Sequence, residues 1–147
     1  MSGKSPMDVA LNLLGHRPFT EQQLAEKLSQ SGFDPEDIHE ALKRLKGWGY
    51  LNDNEYGMNR INTLQARYKS RAFVEGDLMV HGLKPELIQE LLNTYYPESL
   101  EIDIAQQLLL RKSHVKRQSK TRGPAFLIRL GFSENTVHQC FPEVSST

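Results

Sequence analysis

Cysteine is nearly missing from this chain of 147 residues, where Cys140 stands alone. One cysteine excludes a disulfide framework and every cysteine-rich zinc module, and it suits a reducing compartment. Long apolar runs are missing too. The longest uninterrupted aliphatic run is Leu108-Leu109-Leu110, far below the roughly 20 residues a membrane-spanning helix needs. Met1 to Pro6 carries no apolar stretch and the first amphipathic segment contains Asp8, so no secretory segment is predicted and the expected location is cytoplasmic. A charge surplus of either sign is absent as well, 18 Lys and Arg balancing 18 Asp and Glu. Taken alone, that balance argues against a nucleic-acid partner.

The zero is an average over segregated charge. Residues 1 to 50 hold 6 basic and 7 acidic side chains, residues 51 to 100 hold 5 and 7, and residues 101 to 147 hold 7 and 4. Two stretches contain no acid. One carries Arg60, Arg67, Lys69 and Arg71, the other Arg111, Lys112, Lys116, Arg117, Lys120 and Arg122. Each by itself reads equally well as a solvated loop or helix face, yet two such clusters in a neutral chain favour a polyanionic or acidic partner.

Alternation of period two never persists, while apolar residues recur at three- and four-residue spacing throughout, so the chain is read as all-α. Ser5-Pro6-Met7-Asp8, Thr20-Glu21-Gln22-Gln23, Asp34-Pro35-Glu36 and Asn52 with Glu55 supply helix starts. Ser70, Lys84-Pro85-Glu86, Pro97-Glu98 and Ser133-Glu134 supply later ones. Stops come as glycine followed by an apolar residue, the pattern of a left-handed C-terminal turn.

Those stops repeat. Gly32-Phe33, Gly82-Leu83 and Gly131-Phe132 lie 50 and 49 residues apart. Leu28, Leu78 and Leu127 precede the glycines in register; Ile38, Ile88 and Val137, then Ala41, Leu91 and Cys140, then Leu42, Leu92 and Phe141 follow them. Five aligned columns in three copies indicate an internal repeat. The expectation is three tandem three-helix repeats at 1–51, 52–97 and 98–147, forming an elongated, curved array. The helices are placed at 6–16, 20–32, 34–47, 53–68, 71–82, 84–95, 98–113, 120–131 and 133–141. Each unit has a core of about eight side chains and must share contacts with its neighbour, as solenoid repeats do. Trp48 and Tyr50 are expected to pack at the first junction, with base stacking the alternative.

No catalytic constellation emerges. Cys140 shares a column with Ala41 and Leu91, which makes it a small core residue rather than a nucleophile. His16, His39, His81, His114 and His138 show no metal spacing. No glycine-rich phosphate loop occurs. A non-enzymatic chain without metal or cofactor is the expectation. Residues 20–51 imitate a helix-turn-helix, but the half of its second helix that would enter the major groove carries Asp34, Glu36, Asp37 and Glu40, the wrong sign for phosphates. Sequence-specific DNA binding without a protein partner is therefore the second reading.

Several of these segments together resemble RecX, the bacterial regulator of the RecA recombinase. They are Ala10 to Leu14 with Arg17, Glu21 to Leu28, Gly49-Tyr50-Leu51-Asn52-Asp53 running into Tyr56, and Phe126-Leu127-Ile128-Arg129-Leu130-Gly131-Phe132. The similarity runs from about Val9 to Phe141. It implies tandem three-helix repeats, which the register above gave independently. It also implies a monomeric modulator that binds in the groove of the RecA filament on DNA and suppresses ATP hydrolysis, strand exchange and co-protease activity. Direct DNA binding is implied for some members. Gly57 departs from the family's usual alanine and should loosen its helix by up to about 1 kcal/mol. Gly123-Pro124 interrupts a helix that usually begins earlier. The filament- or DNA-facing residues are expected among the ten cations of the two acid-free stretches, and about five phosphate contacts would give a log-log salt slope of roughly −4 to −5.

Overall fold

The structure, a computed structural model, describes residues 3–113 and 122–142. Nine helices and no strands are found among the described residues: α1 (Pro6–Leu14), α2 (Glu21–Gln30), α3 (Pro35–Gly47), α4 (Asp53–Ala66), α5 (Arg71–Val80), α6 (Pro85–Tyr95), α7 (Glu98–Ser113), α8 (Arg122–Arg129) and α9 (Glu134–Cys140). None of them is long and apolar enough to cross a membrane.

Local chemistry explains most helix ends. Ser5 with Asp8 and Thr20 with Gln23 form reciprocal capping boxes, each satisfying two of the amides that a helix start leaves unpaired. Asn52, Ser70 and Ser133 accept from the amides of Glu55, Phe73 and Thr136. At α3 and α6 the caps Asp34 and Lys84 make no side-chain bond, and Pro35 and Pro85 set the first turn instead. The repeated stops are the same object three times. Gly32, Gly82 and Gly131 have φ of 91°, 90° and 91°, and the following amides of Phe33, Leu83 and Phe132 donate to the carbonyls of Leu28, Leu78 and Leu127. Those three leucines are fully buried. A side chain at such a φ is strained, which is why glycine holds the column.

Close helix packing occurs inside the triplets α1–α3, α4–α6 and α7–α9. The first triplet has its own apolar cluster around Ala10, Phe19, Leu24, Leu28, Ile38, Leu45 and Leu51. In the second and third triplets the cluster is continuous, with Ile61, Leu78, Leu92 and Tyr96 joined to Ile104, Leu108, Leu127 and Phe132.

The joints between triplets reuse one device. At the first joint the Thr20 hydroxyl donates to the carbonyl of His81 at 2.6 Å, and the Glu21 amide donates to the Asp53 carboxylate at 2.9 Å. At the second, Ser70 donates to the carbonyl of Leu130 at 3.1 Å and the Arg71 amide to Glu101 at 2.9 Å. The start of each triplet's middle helix is thus bonded to the end of the next triplet's middle helix and to an acid on its first. Burial, only partly offset by the Glu21 amide, raises the Asp53 pKa. Glu101 is itself buried and also accepts from the Thr136 hydroxyl at 2.5 Å.

Two expectations change. Trp48 and Tyr50 do not pack at the first junction; they are 54% and 62% exposed, and Leu51 takes the buried place. Gly57 is a packing residue rather than a loose spot, because a Cβ there would lie 2.3 Å from Cδ1 of Leu91 and 3.2 Å from Cδ1 of Leu83. In the third triplet the described part of α8 runs from Arg122 and includes Gly123-Pro124; the expected start at 120 lies outside the described residues.

Candidate nucleic-acid interface

The α4–α5 turn presents the first acid-free stretch. Arg67 caps α4, and Tyr68 follows at φ 61°, the one non-glycine residue with positive φ among the described residues. The Tyr68 amide donates to Gln65 and the Lys69 amide to Leu64, closing the turn in the left-handed form that glycine usually supplies. A tyrosine there costs on the order of 1 kcal/mol. What holds it is packing: its ring lies against the shared core of the second and third triplets.

The second acid-free stretch begins on the last turn of α7 and meets the first at this ring. The Arg111 guanidinium lies 5.1 Å from the Tyr68 ring centre. Lys69 sits 4.7 Å from the ring of Phe73, which is 45% exposed, and Lys112 sits 6.0 Å from the ring of Phe126. Folding therefore seats Arg111 on Tyr68, Lys69 on Phe73 and Lys112 near Phe126, with Arg67 in the same turn as Tyr68 and Lys69. Cations seated on aromatic faces gain about 0.5–1 kcal/mol each at exposed sites. Among the described residues no acid is ion-paired with any of them.

The remaining predicted residues divide differently. Arg60 is committed to Asp77, its Nε and Nη2 donating to the two carboxylate oxygens at 2.8 Å each. Burial alone would raise the Asp77 pKa, but the Arg60 bonds and the charges of His81 and Arg60 outweigh it and bring the carboxyl below its usual value. Arg71 donates from Nε to the Tyr96 carbonyl and from Nη2 to Asn93. Both arginines are staples between helices. The backbone of Arg122 is helical, in α8, and Lys116, Arg117 and Lys120 lie outside the described residues.

Sequence reasoning missed the two aromatics. Tyr68 stands between Arg67 and Lys69 and Phe73 lies two residues past Arg71, so aromatic interleaving in a basic stretch was the available signal. Beneath them the Tyr96 hydroxyl donates to the Lys69 carbonyl at 2.6 Å. Burial, with the nearby Glu101 charge, pushes the Tyr96 phenol up, so it remains a donor.

Elsewhere the chemistry is sparse. Among the described residues no group of three His, Cys, Asp or Glu side chains is placed to hold a metal ion. Cys140 is half-buried, and burial pushes its thiol pKa up, away from a reactive thiolate. A hollow of about 540 Å³ between the second and third triplets is lined by Arg71, Glu75, Asn93, Glu98, Glu101 and Ser133, the side chains of the joint. On α3, Asp34, Glu36, Asp37 and Glu40 are all exposed, so the acidic half of the helix-turn-helix imitation faces solvent.

Comparison with known proteins agrees with the repeat. The pattern for RecX, first three-helix domain, matches residues 7–45. A regulatory protein RecX of Caldanaerobacter subterraneus subsp. tengcongensis is 30% identical over 118 residues, covering 80% of this chain. The match spans 60% of that relative's length. A regulatory protein RecX of Legionella pneumophila is 27% identical over 147 residues, covering 95% of each chain. The crystal structure of RecX from Lactobacillus salivarius superposes with a TM-score of 0.81 over 97% of this chain and 96% of that one, at 20% identity. A matching first unit, relatives along nearly the whole length and a shared helical architecture place the chain in the RecX family.

Proposed function

We propose that this chain is a non-enzymatic regulator of the RecA recombinase. It binds in the groove of the RecA filament on DNA and suppresses ATP hydrolysis, strand exchange and co-protease activity, and so controls recombinational repair and the SOS response. The observation that carries the proposal is the meeting of the two acid-free stretches: Arg111 over Tyr68, Lys69 over Phe73 and Lys112 near Phe126, with Arg67 next to Tyr68 in the chain, form a cationic surface suited to an acidic groove or a phosphate backbone. Membership of a family of regulatory proteins supports it. The three triplets, divided at 51/52 and 97/98, act as separate contact units on neighbouring protomers. Linked modest contacts then gain from high effective concentration.

The test adds the full chain to a RecA filament on single-stranded DNA and follows ATP turnover. Inhibition that excess free DNA does not reproduce, and that a double charge reversal Arg67→Glu with Arg111→Glu relieves, is the expected result. No effect on turnover by the unaltered chain would remove the proposal. Inhibition left intact by the reversal would remove the assigned surface.

A further inference from the structure

The exposed aromatics at the end of α3 point to a site on the first triplet. We infer that Trp48, Tyr50, Arg44 and Lys43 form a stacking platform for the unpaired bases of a single-stranded nucleic acid. It is separate from the Arg67 to Lys112 surface and stands without any recombinase.

The loop that carries it is fixed rather than frayed. The amide of Trp48 donates to Arg44, that of Gly49 to Lys46 and that of Tyr50 to Leu45 at 2.9 Å, so the backbone is paired through the turn. Gly49, at φ 82°, makes the left-handed residue that the turn requires. Leu51 then anchors the chain in the core at 3% exposure. Two large rings are thereby held in water by a rigid support.

Their arrangement leaves faces free. Trp48 and Tyr50 meet edge-on, ring centres 6.4 Å apart and planes at 89°. Such a contact covers at most one of the four ring faces. Arg44 lies 5.3 Å from the Trp48 ring centre and takes at most a second. A base ring needs one flat face of this kind, and sequence-tolerant stacking on aromatics beside cations is how single strands are held. Duplex bases, stacked on each other, cannot use it.

Charge selects the ligand. Lys43 and Arg44 are exposed and form no ion pair among the described residues; Glu40, one turn back on α3, bonds to neither. Lys46 is paired with Glu21 at 3.3 Å but remains half-exposed. Two exposed cations next to two rings that keep free faces suit a chain that alternates phosphate and base. Along α3 itself charge is segregated: Glu36 and Asp37 sit in its first turn and Arg44 and Lys46 in its last, beside the rings.

Trp48 is the single tryptophan of the chain, so its fluorescence reports this site alone. The experiment titrates the full chain with a short oligothymidylate and, separately, with inorganic polyphosphate and a blunt duplex. Saturable quenching by oligothymidylate, with little from polyphosphate or duplex, is expected. Tyr50→Ala, which removes an exposed ring and keeps the fluorophore, should weaken the quenching constant by on the order of tenfold, the effect of one lost stack. Circular dichroism checks that this variant keeps its helices. Absence of quenching, equal quenching by polyphosphate, or an unchanged constant in a folded Tyr50→Ala chain would each overturn the inference. So would quenching by nucleic-acid-free recombinase in place of oligothymidylate, which would make the patch a protein contact. Loss of the signal in the Arg67→Glu, Arg111→Glu chain would assign it to the other surface.

Discussion

Ser70 and Leu130, 60 residues apart in the chain, are joined by a hydrogen bond of 3.1 Å from hydroxyl to carbonyl. The same hydroxyl accepts from the Phe73 amide and so caps α5. Thr20 repeats both roles at the first joint, accepting from Gln23 and donating to His81. One side chain thus starts a helix and ties two triplets.

Removing that side chain should be felt twice. Ser70→Ala loses the cap and leaves the Leu130 carbonyl short of a partner, for a destabilisation of about 1–2 kcal/mol. Thr20→Val should cost a similar amount, and Thr20→Ser much less. Urea unfolding measures all three, and losses below a few tenths would show that the joint bonds do not hold the array.

The three glycines of the repeat allow a cleaner comparison, since their backbones are alike and their surroundings are not. A Cβ at Gly32 meets nothing within 4 Å, while at Gly82 it lies 2.8 Å from Cβ of Gln22 and at Gly131 2.9 Å from Oγ of Ser70. Gly32→Ala should cost the left-handed strain alone, about 1–2 kcal/mol. Gly82→Ala and Gly131→Ala should exceed it by about 1–3 kcal/mol through overpacking. Equal melting temperatures for the three variants would contradict close contact at the joints.

Glu101 is the buried acceptor on which the second joint converges, taking bonds from the Arg71 amide and the Thr136 hydroxyl. Glu101→Gln turns one acceptor into a donor facing donors. A loss of about 1–3 kcal/mol is expected. The third triplet should loosen first, as read by hydrogen exchange of α7 and α9 amides relative to α2.

Acid should weaken the second triplet through Asp77. Its folded pKa lies below the ordinary 3.8, so the unfolded chain takes up this proton first as pH falls. Its stabilising contribution is full above the ordinary value and disappears as pH drops through the folded pKa. Asp77→Asn should therefore lower stability at neutral pH and flatten this part of the acid limb. Both are visible in denaturant midpoints measured from pH 7 to pH 2.

The cations should separate into two kinds. Arg67→Ala and Lys112→Ala should each reduce the salt slope of nucleic-acid binding by about one and leave stability near unchanged. Arg60→Ala should lower stability by about 1–2 kcal/mol, a figure reduced for its partial exposure, and change the slope little. A titration across salt, beside an unfolding curve for each variant, reads both quantities.

Much of the fold was legible because its determinants are local. Capping hydroxyls act within three residues, proline sets its own φ, and a left-handed glycine ends a helix wherever it stands, so the helix bounds that do not abut residues 114–121 agreed within about two residues. The identical φ of Gly32, Gly82 and Gly131 shows the repeat in the backbone itself. The candidate site was half legible: the charge clusters could be read, the aromatics between them were passed over.

What the sequence by itself determined is the list of helices, their repeat and the two acid-free stretches, since each depends on neighbours in the chain. Only the tertiary structure decided which charges are free. Arg60 finds Asp77 across two helices and Arg71 finds Asn93 and the Tyr96 carbonyl, while Arg111 arrives over Tyr68 from another triplet. It decided equally that Leu51 rather than Trp48 fills the first junction. Pairing and burial depend on which surfaces meet in space, and spacing along the chain does not encode that.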